Sequence, residues 1–171
     1  MNAHLSPEEI VRREALVKIR EKGIDPFPAA EFVINDNAVN AKSNYEEGKS
    51  VTLAGRIMNQ RVMGKAIFAD LQDSVGKIQL YLNADEICPG EDKTFYNDVI
   101  KYLLHYGDFI GITGVLFTTK MGEISVRVQH LTLLAKSIKP LPVVKKDAEG
   151  NVYDAFTDPE NRYRMRYVDL V

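Results

Sequence analysis

The segment 51-VTLAGRIMNQRVMGKAIFADLQDSVGKIQLYL-82 decides the fold, because apolar residues recur in it with a period of two. The alternation predicts three strands, which begin near Ser50, Ala66 and Lys77 and are separated by turns at 63–65 and 73–76. One face of each strand is therefore expected to line a core. The residues predicted on that face are Val51, Leu53, Ile57, Ile67, Ala69, Leu71, Ile78, Leu80 and Leu82.

Two more strands are expected after a helix. Apolar residues at helical spacing predict this helix over about 92–105, and Gly107 ends it. The fourth strand is expected over about 108–118, and the fifth begins near Glu123. The inward residues of the fifth strand change parity before Leu131, which predicts a bulge near Gln129.

Three strands, a helix and two further strands follow the order of the OB-fold, a five-stranded Greek-key barrel with a helix between strands three and four. Glycines at positions 55, 111 and 114 suit tightly bent barrel strands. We therefore predict a mainly β fold with flanking helices. Residues 49–138 are expected to form the barrel, and residues 1–48 an N-terminal helical extension.

The N-terminal helix has clear boundary signals. Ser6 is the predicted N-cap, Pro7 follows it, Glu9 completes a capping box, and Gly23 stops the helix. We interpret it as a solvated helix lying on a larger body; a basic face touching a nucleic-acid backbone is the alternative. A second short helix is predicted near 36–44. The first helix is expected to bury Val11, Ala15, Leu16 and Ile19, and to leave charged residues such as Arg12 in solvent.

Composition excludes several classes of function. The net charge is −2, with 22 basic and 24 acidic residues, so the chain does not bind long duplexes by charge alone. Cys88 is the only cysteine, and the three histidines show no zinc-ligand spacing. We find no phosphate-binding, dinucleotide, metalloprotease or nucleophile-elbow motif. The sequence has no apolar run near 18 residues and no leader-like N-terminus, so a soluble cytoplasmic protein without a membrane partner is expected.

Phe68 and Gln79 alternate with the inward residues and are therefore predicted to face outward. An outward ring on strand two of an OB-fold can stack on a base, and a nearby amide can hydrogen-bond a pyrimidine edge. Glu123 is a candidate acceptor for an imino proton, although an exposed charge that pairs with Lys120 is the alternative.

Arg61 is the fourth candidate for base recognition. It shares the parity of Leu53 and Ile57, so strict alternation turns it inward unless a bulge or the strand end reorients it. Three outward or turn lysines, Lys65, Lys77 and Lys120, are candidate phosphate contacts, with solvated charges as the alternative.

The segments GRIMNQRVMGKAIFADLQDSVGKIQLYL, GDFIGITGVLFTTKMGEISV, LLAKSIKPLP and RYRMRYVDL resemble the N-terminal part of class II lysyl-tRNA synthetases. The aspartyl and asparaginyl enzymes share the barrel, but the last two segments look more like the lysyl branch. The resemblance implies that the OB-fold binds a tRNA anticodon. It also implies that Arg61, Phe68, Gln79 and Glu123 surround the middle uridine, and that Arg61 faces the base.

The resemblance further implies a homodimeric enzyme that uses ATP and Mg²⁺ to attach lysine to tRNA. The signatures for that chemistry are absent from these 171 residues. We therefore expect no catalytic or metal-binding residue, no cofactor and no aminoacylation activity in this chain. Residues 139–171 are expected to be a linker, marked by 140-PLP-142, and the start of the catalytic domain.

Three alternatives to a lysyl anticodon domain stay open. They are the equivalent domain of an aspartyl or asparaginyl enzyme, a general single-strand-binding OB module, and a protein-interaction barrel in which Phe68 packs on a partner. The general module predicts several exposed aromatic residues, of which the sequence indicates one.

Overall fold

The computed structural model describes residues 5–140, 145–146, 152–153 and 163. Its contacts divide the chain into two units, residues 1–139 and 140–171. The first unit contains the barrel and the helices around it. The predicted linker at 140-PLP-142 and the predicted start of the catalytic domain lie mostly outside the described residues.

Five strands close into a barrel in the order β1-β2-β3-β5-β4, with β4 pairing back onto β1. The β3–β5 pair is parallel and the other pairs are antiparallel. This is the predicted OB-fold. The strands are β1 (Ser50–Met63), β2 (Ala66–Gln72), β3 (Lys77–Asn83), β4 (Phe109–Thr118) and β5 (Ile124–Ala135).

The barrel core contains the residues that the alternation predicts. All nine inward residues predicted on the first three strands are at most 3% exposed. The predicted bulge in β5 is confirmed: Thr113 pairs with His130 and Gly114 with Val128, which leaves Gln129 without a partner. At Gly55 a Cβ would lie 2.5 Å from the carbonyl oxygen of Gln72, so the neighbouring strand leaves no room for a side chain.

Within residues 5–140, four helices accompany the barrel. The capping box predicted at Ser6 and Glu9 is present. The helix between strands three and four is shorter than predicted and is wound as a π-helix, and a further short helix precedes it. The helices are α1 (Pro7–Glu21), α2 (Ala38–Ser43), α3 (Ala84–Ile87) and α4 (Phe95–Leu103).

The buried face of α1 differs from the prediction at Val11, Arg12 and Leu16, of which Leu16 is half-buried. Val11 is exposed and Arg12 is buried, together with Ala15 and Ile19. A guanidinium nitrogen of Arg12 donates to the carbonyl oxygen of Ser137 at 3.1 Å. An arginine is tolerated at this position because the bond gives the guanidinium and the carbonyl group a hydrogen-bonding partner.

The second unit is described only in part. It contains two short antiparallel strands, β6 (Lys145–Lys146) and β7 (Val152–Tyr153). Tyr163 is exposed. Among the helices that the structure describes, none combines the length and the apolar character that a membrane span requires.

Candidate nucleic-acid interface

A bulge in β1 determines where Arg61 points. Ile57 pairs with Leu71 and Asn59 with Asp70, so the intervening Met58 has no partner on β2. The extra residue reverses the alternation, because side chains of a strand point to opposite faces in turn. Arg61 consequently lies on the exposed side of the barrel and not in the core. The bulge in β1 therefore turns the Arg61 side chain outward, which strict alternation along the strand would not do.

Arg61, Phe68 and Tyr81 are consecutive cross-strand neighbours on the outside of the barrel. Phe68 pairs with Arg61 on β1 and with Tyr81 on β3. The rings of Phe68 and Tyr81 meet edge to face, with centroids 5.3 Å apart. Gln79 is two residues before Tyr81 on β3 and is therefore diagonal to Phe68 on the same face. We call Arg61, Phe68, Gln79 and Tyr81 the β1–β3 outer face.

The amide of Gln79 is oriented by its neighbour on β5. Ser125 pairs with Gln79 in the parallel ladder, and its hydroxyl donates to Gln79 Oε1 at 3.0 Å. Ser125 is fully buried. Because Oε1 is engaged by Ser125, the two N–H donors of the amide remain for another acceptor. Such donors suit a carbonyl acceptor on a base edge.

Glu123 is not one of the cross-strand neighbours that form this face. It precedes β5 by one residue, and its backbone closes the β4–β5 hairpin through Thr119, with N–O distances of 2.9 and 3.1 Å. The carboxylate is half exposed and stands 3.5 Å from the ammonium group of Lys42 on α2. The carboxylate is thus an exposed charge, as the alternative states, but its partner is Lys42 and not Lys120. The structure brings Arg61, Phe68 and Gln79 together and leaves Glu123 at the rim, two residues from Ser125.

The three predicted phosphate contacts are on the surface. Lys65 lies in the β1–β2 turn, Lys77 at the start of β3 and Lys120 in the β4–β5 turn, and all three are exposed. Within the described ranges, none of them pairs with a carboxylate at 4.0 Å or less. Lys65 also lines a cleft of about 300 Å³ with Lys93 and Lys101.

The sequence reasoning missed two aromatic residues and an arginine. Tyr81 and Phe117 meet edge to face, with centroids 5.8 Å apart, so three rings line the outer surface from β2 to β4. The guanidinium of Arg127 lies 5.0 Å above the Phe117 ring. Tyr81 was detectable, because it has the same parity as Gln79. Phe117 and Arg127 needed the strand pairing, which places both beside Ser125 and Tyr81.

A second polar cluster lies away from this face. Lys136 and Asp108 have fully buried side chains joined at 2.6 Å, and burial lowers the pKa of Lys136. Burial and the nearby Lys136 ammonium lower the pKa of His105 to about 4. Every polar atom of the pair is engaged by the surrounding backbone or by His105, so the cluster is a structural anchor.

In the part of the chain that the structure describes, no three His, Cys, Asp or Glu side chains come together as a metal site requires.

The barrel and its outer face define the class of protein. Residues 51–134 match the family described as an OB-fold nucleic acid binding domain, and this segment belongs to that family.

Nearly the whole chain is also similar to part of one kind of enzyme. A lysine–tRNA ligase from Porphyromonas gingivalis is 55% identical over 98% of this chain and 30% of that protein. Those from Christiangramia forsetii and Azobacteroides pseudotrichonymphae are 55% and 49% identical, over 97% and 98% of this chain and 29% and 34% of their own lengths. The chain is thus a homologue of lysine–tRNA ligases, and it spans about a third of the length of these relatives.

Proposed function

We propose that the chain is the anticodon-recognising part of a lysine–tRNA ligase and that the β1–β3 outer face holds the middle uridine of the anticodon. The observation that carries this proposal is the cross-strand alignment of Arg61, Phe68 and Gln79 on an exposed face of an OB-fold. The similarity to named lysine–tRNA ligases supports the choice of tRNA as the partner.

The polar groups complement uracil better than cytosine. Uracil presents a carbonyl acceptor and an imino N–H on its Watson–Crick edge, whereas cytosine presents an amino donor and a ring-nitrogen acceptor. The free donors of Gln79 match the carbonyl, and the carboxylate of Glu123 matches the imino proton. The Phe68 ring supplies a stacking surface that accepts any base. Selectivity for uracil therefore rests on Gln79 and Glu123, and affinity rests largely on Phe68.

The charge distribution fits a local contact with RNA. The chain carries a net charge of −2, so contacts with the phosphate backbone depend on individual lysines and not on an overall field. Lys65, Lys77 and Lys120 are exposed at turns and a strand end of the barrel and are proposed to contact phosphates. Arg61 lies beside Phe68 and completes the polar surround of the base.

The remaining proposals concern the whole protein. It attaches lysine to tRNA in the cytoplasm with ATP and Mg²⁺ and works as a homodimer. We propose that the 171-residue chain by itself binds RNA, is mostly monomeric and has no aminoacylation activity. Its proposed organisation is a helical extension over 1–48, the anticodon-binding barrel over 49–138, and a linker with the start of the catalytic domain over 139–171.

A general single-strand-binding module is the second candidate. The observation that favours it is the row of three aromatic rings, because such modules stack successive bases on several aromatic residues. An anticodon domain and a general module differ in their tolerance of base changes.

The proposal is tested with a fluorescently labelled anticodon stem-loop carrying UUU. Phe68→Ala is expected to weaken binding by about 1–3 kcal/mol, the contribution of one stacked base. Phe27→Ala is the matched control, because Phe27 is an accessible phenylalanine that lies outside the barrel. An equal response of the two variants contradicts the proposal. Binding that is the same for UUU and for an unrelated single-stranded RNA favours the general module.

A further inference from the structure

Arg127 occupies an unusual position on the barrel surface. One face of its guanidinium lies on the Phe117 ring at 5.0 Å, and the residue pairs with Tyr81 across the β3–β5 ladder. Arg127 forms no ion pair with the acidic residues of the described segments. A planar, partly exposed guanidinium backed by a ring therefore stands next to the aromatic residue that neighbours Phe68.

We propose that Arg127, Tyr81 and Phe117 form a second base site, which takes the nucleotide next to the one stacked on Phe68. The base stacks on the outer face of the Arg127 guanidinium, so that Phe117, the guanidinium and the base form three parallel layers. This site rests on the proposed binding of single-stranded RNA, and it extends that function from one base to two.

The chemistry of the three side chains favours a base over an isolated phosphate. Arginine stacks on RNA bases through its plane, and a ring beneath the guanidinium keeps that plane in position. A phosphate is bound by the N–H groups at the edge of a guanidinium and makes no use of its face, whereas a base stacks on that face. The rings of Phe68, Tyr81 and Phe117 are spaced by 5.3 and 5.8 Å, and OB-folds use such aromatic rows for successive bases.

The experiment measures dissociation constants of the 171-residue chain and its Arg127→Lys variant for the UUU stem-loop. The same loop is also prepared with an abasic residue on the 5′ or on the 3′ side of the middle uridine. Arg127→Lys keeps the charge and removes the plane, so it is expected to bind the intact loop roughly 5- to 150-fold more weakly. With one of the two abasic loops, wild type and variant are expected to bind equally, because the base that Arg127 stacks on is missing.

Arg56→Lys is the matched control. Arg56 also lies on a phenylalanine ring, that of Phe109 at 4.2 Å, but at the opposite end of β4 from Phe117. It is expected to leave binding unchanged, and circular dichroism of each variant checks the fold.

Two results overturn the second base site. One is wild-type affinity of Arg127→Lys for the intact loop. The other is a loss of the same size with the intact loop and both abasic loops, which shows a contact with the backbone and not with a base. If Phe68→Ala weakens binding in the same experiments, the proposed function stands and the second site alone fails. If neither variant has an effect, both fail.

Discussion

The buried pair of Lys136 and Asp108 predicts a large loss of stability when one partner is removed. The ammonium of Lys136 donates to Asp108 Oδ2 at 2.6 Å, to the carbonyl oxygen of Leu103 at 2.8 Å and to His105 Nδ1 at 2.7 Å. The Asp108 carboxylate also accepts hydrogen bonds from the backbone N–H groups of His105 and Ser137. Asp108→Asn removes the counter-charge and leaves a cation with no access to water.

The expected cost follows from the two ways in which the variant can respond. Removing one partner of a buried ion pair typically costs about 3–5 kcal/mol. Lys136 can instead lose its proton. Since the ordinary pKa of a lysine is 10.5, losing the proton at pH 7 costs about 5 kcal/mol, and burial of the group reduces that figure. Both routes place the destabilisation of Asp108→Asn at about 3–5 kcal/mol.

Urea unfolding at pH 7 measures this cost, and the chain supplies a control of the same geometry. Lys22 and Asp98 are also 2.6 Å apart, but their side chains are 33% and 47% exposed. Asp98→Asn is therefore expected to cost at most about 1 kcal/mol. A loss below about 1 kcal/mol for Asp108→Asn, or equal losses for the two variants, refutes the argument from burial.

Three further predictions concern pH, packing and assembly. Because the folded pKa of His105 is about 4, the unfolded chain binds a proton between about pH 6.5 and 4 that the folded chain does not. Stability should fall by up to about 3 kcal/mol as the pH drops through that window, and urea unfolding of His105→Asn should show a flatter profile than the exposed-site control His130→Asn. Gly55→Ala should lower the free energy of unfolding by about 1–3 kcal/mol, because its Cβ meets the neighbouring strand, whereas Gly90→Ala, which faces open space, should not. Analytical ultracentrifugation should find the 171-residue chain mostly monomeric, and a stable dimer would contradict that proposal.

The sequence predicted the barrel well, because period-two alternation depends only on local order and on one buried face. Even the bulge at Gln129 was detectable, since apolar residues on both sides of it record the change of parity. The bulge at Met58 was harder to locate. The residues after it, from Asn59 to Arg61, are all polar, so no apolar residue among them shows which side of the strand faces the core.

The remaining differences depend on contacts between residues distant in sequence. Arg12 replaces Val11 on the buried face of α1 because a carbonyl group more than a hundred residues away needs a donor. Lys136 and Asp108 are an ordinary pair of charged residues in the sequence, and only barrel closure buries them together. The same limit applies to Phe117, whose relation to Tyr81 runs through the pairing of β3, β5 and β4.

The central claim is that the outer face reads the edge of the middle base. The most direct measurement is the ratio of dissociation constants for UUU and UCU stem-loops, taken for the wild-type chain and for Gln79→Glu. The wild-type chain should prefer UUU by about 1–3 kcal/mol, and Gln79→Glu, which replaces the amide donors with acceptors, should lose or reverse that preference. Equal binding of the two loops by the wild-type chain, or an unchanged ratio in the variant, would contradict the claim.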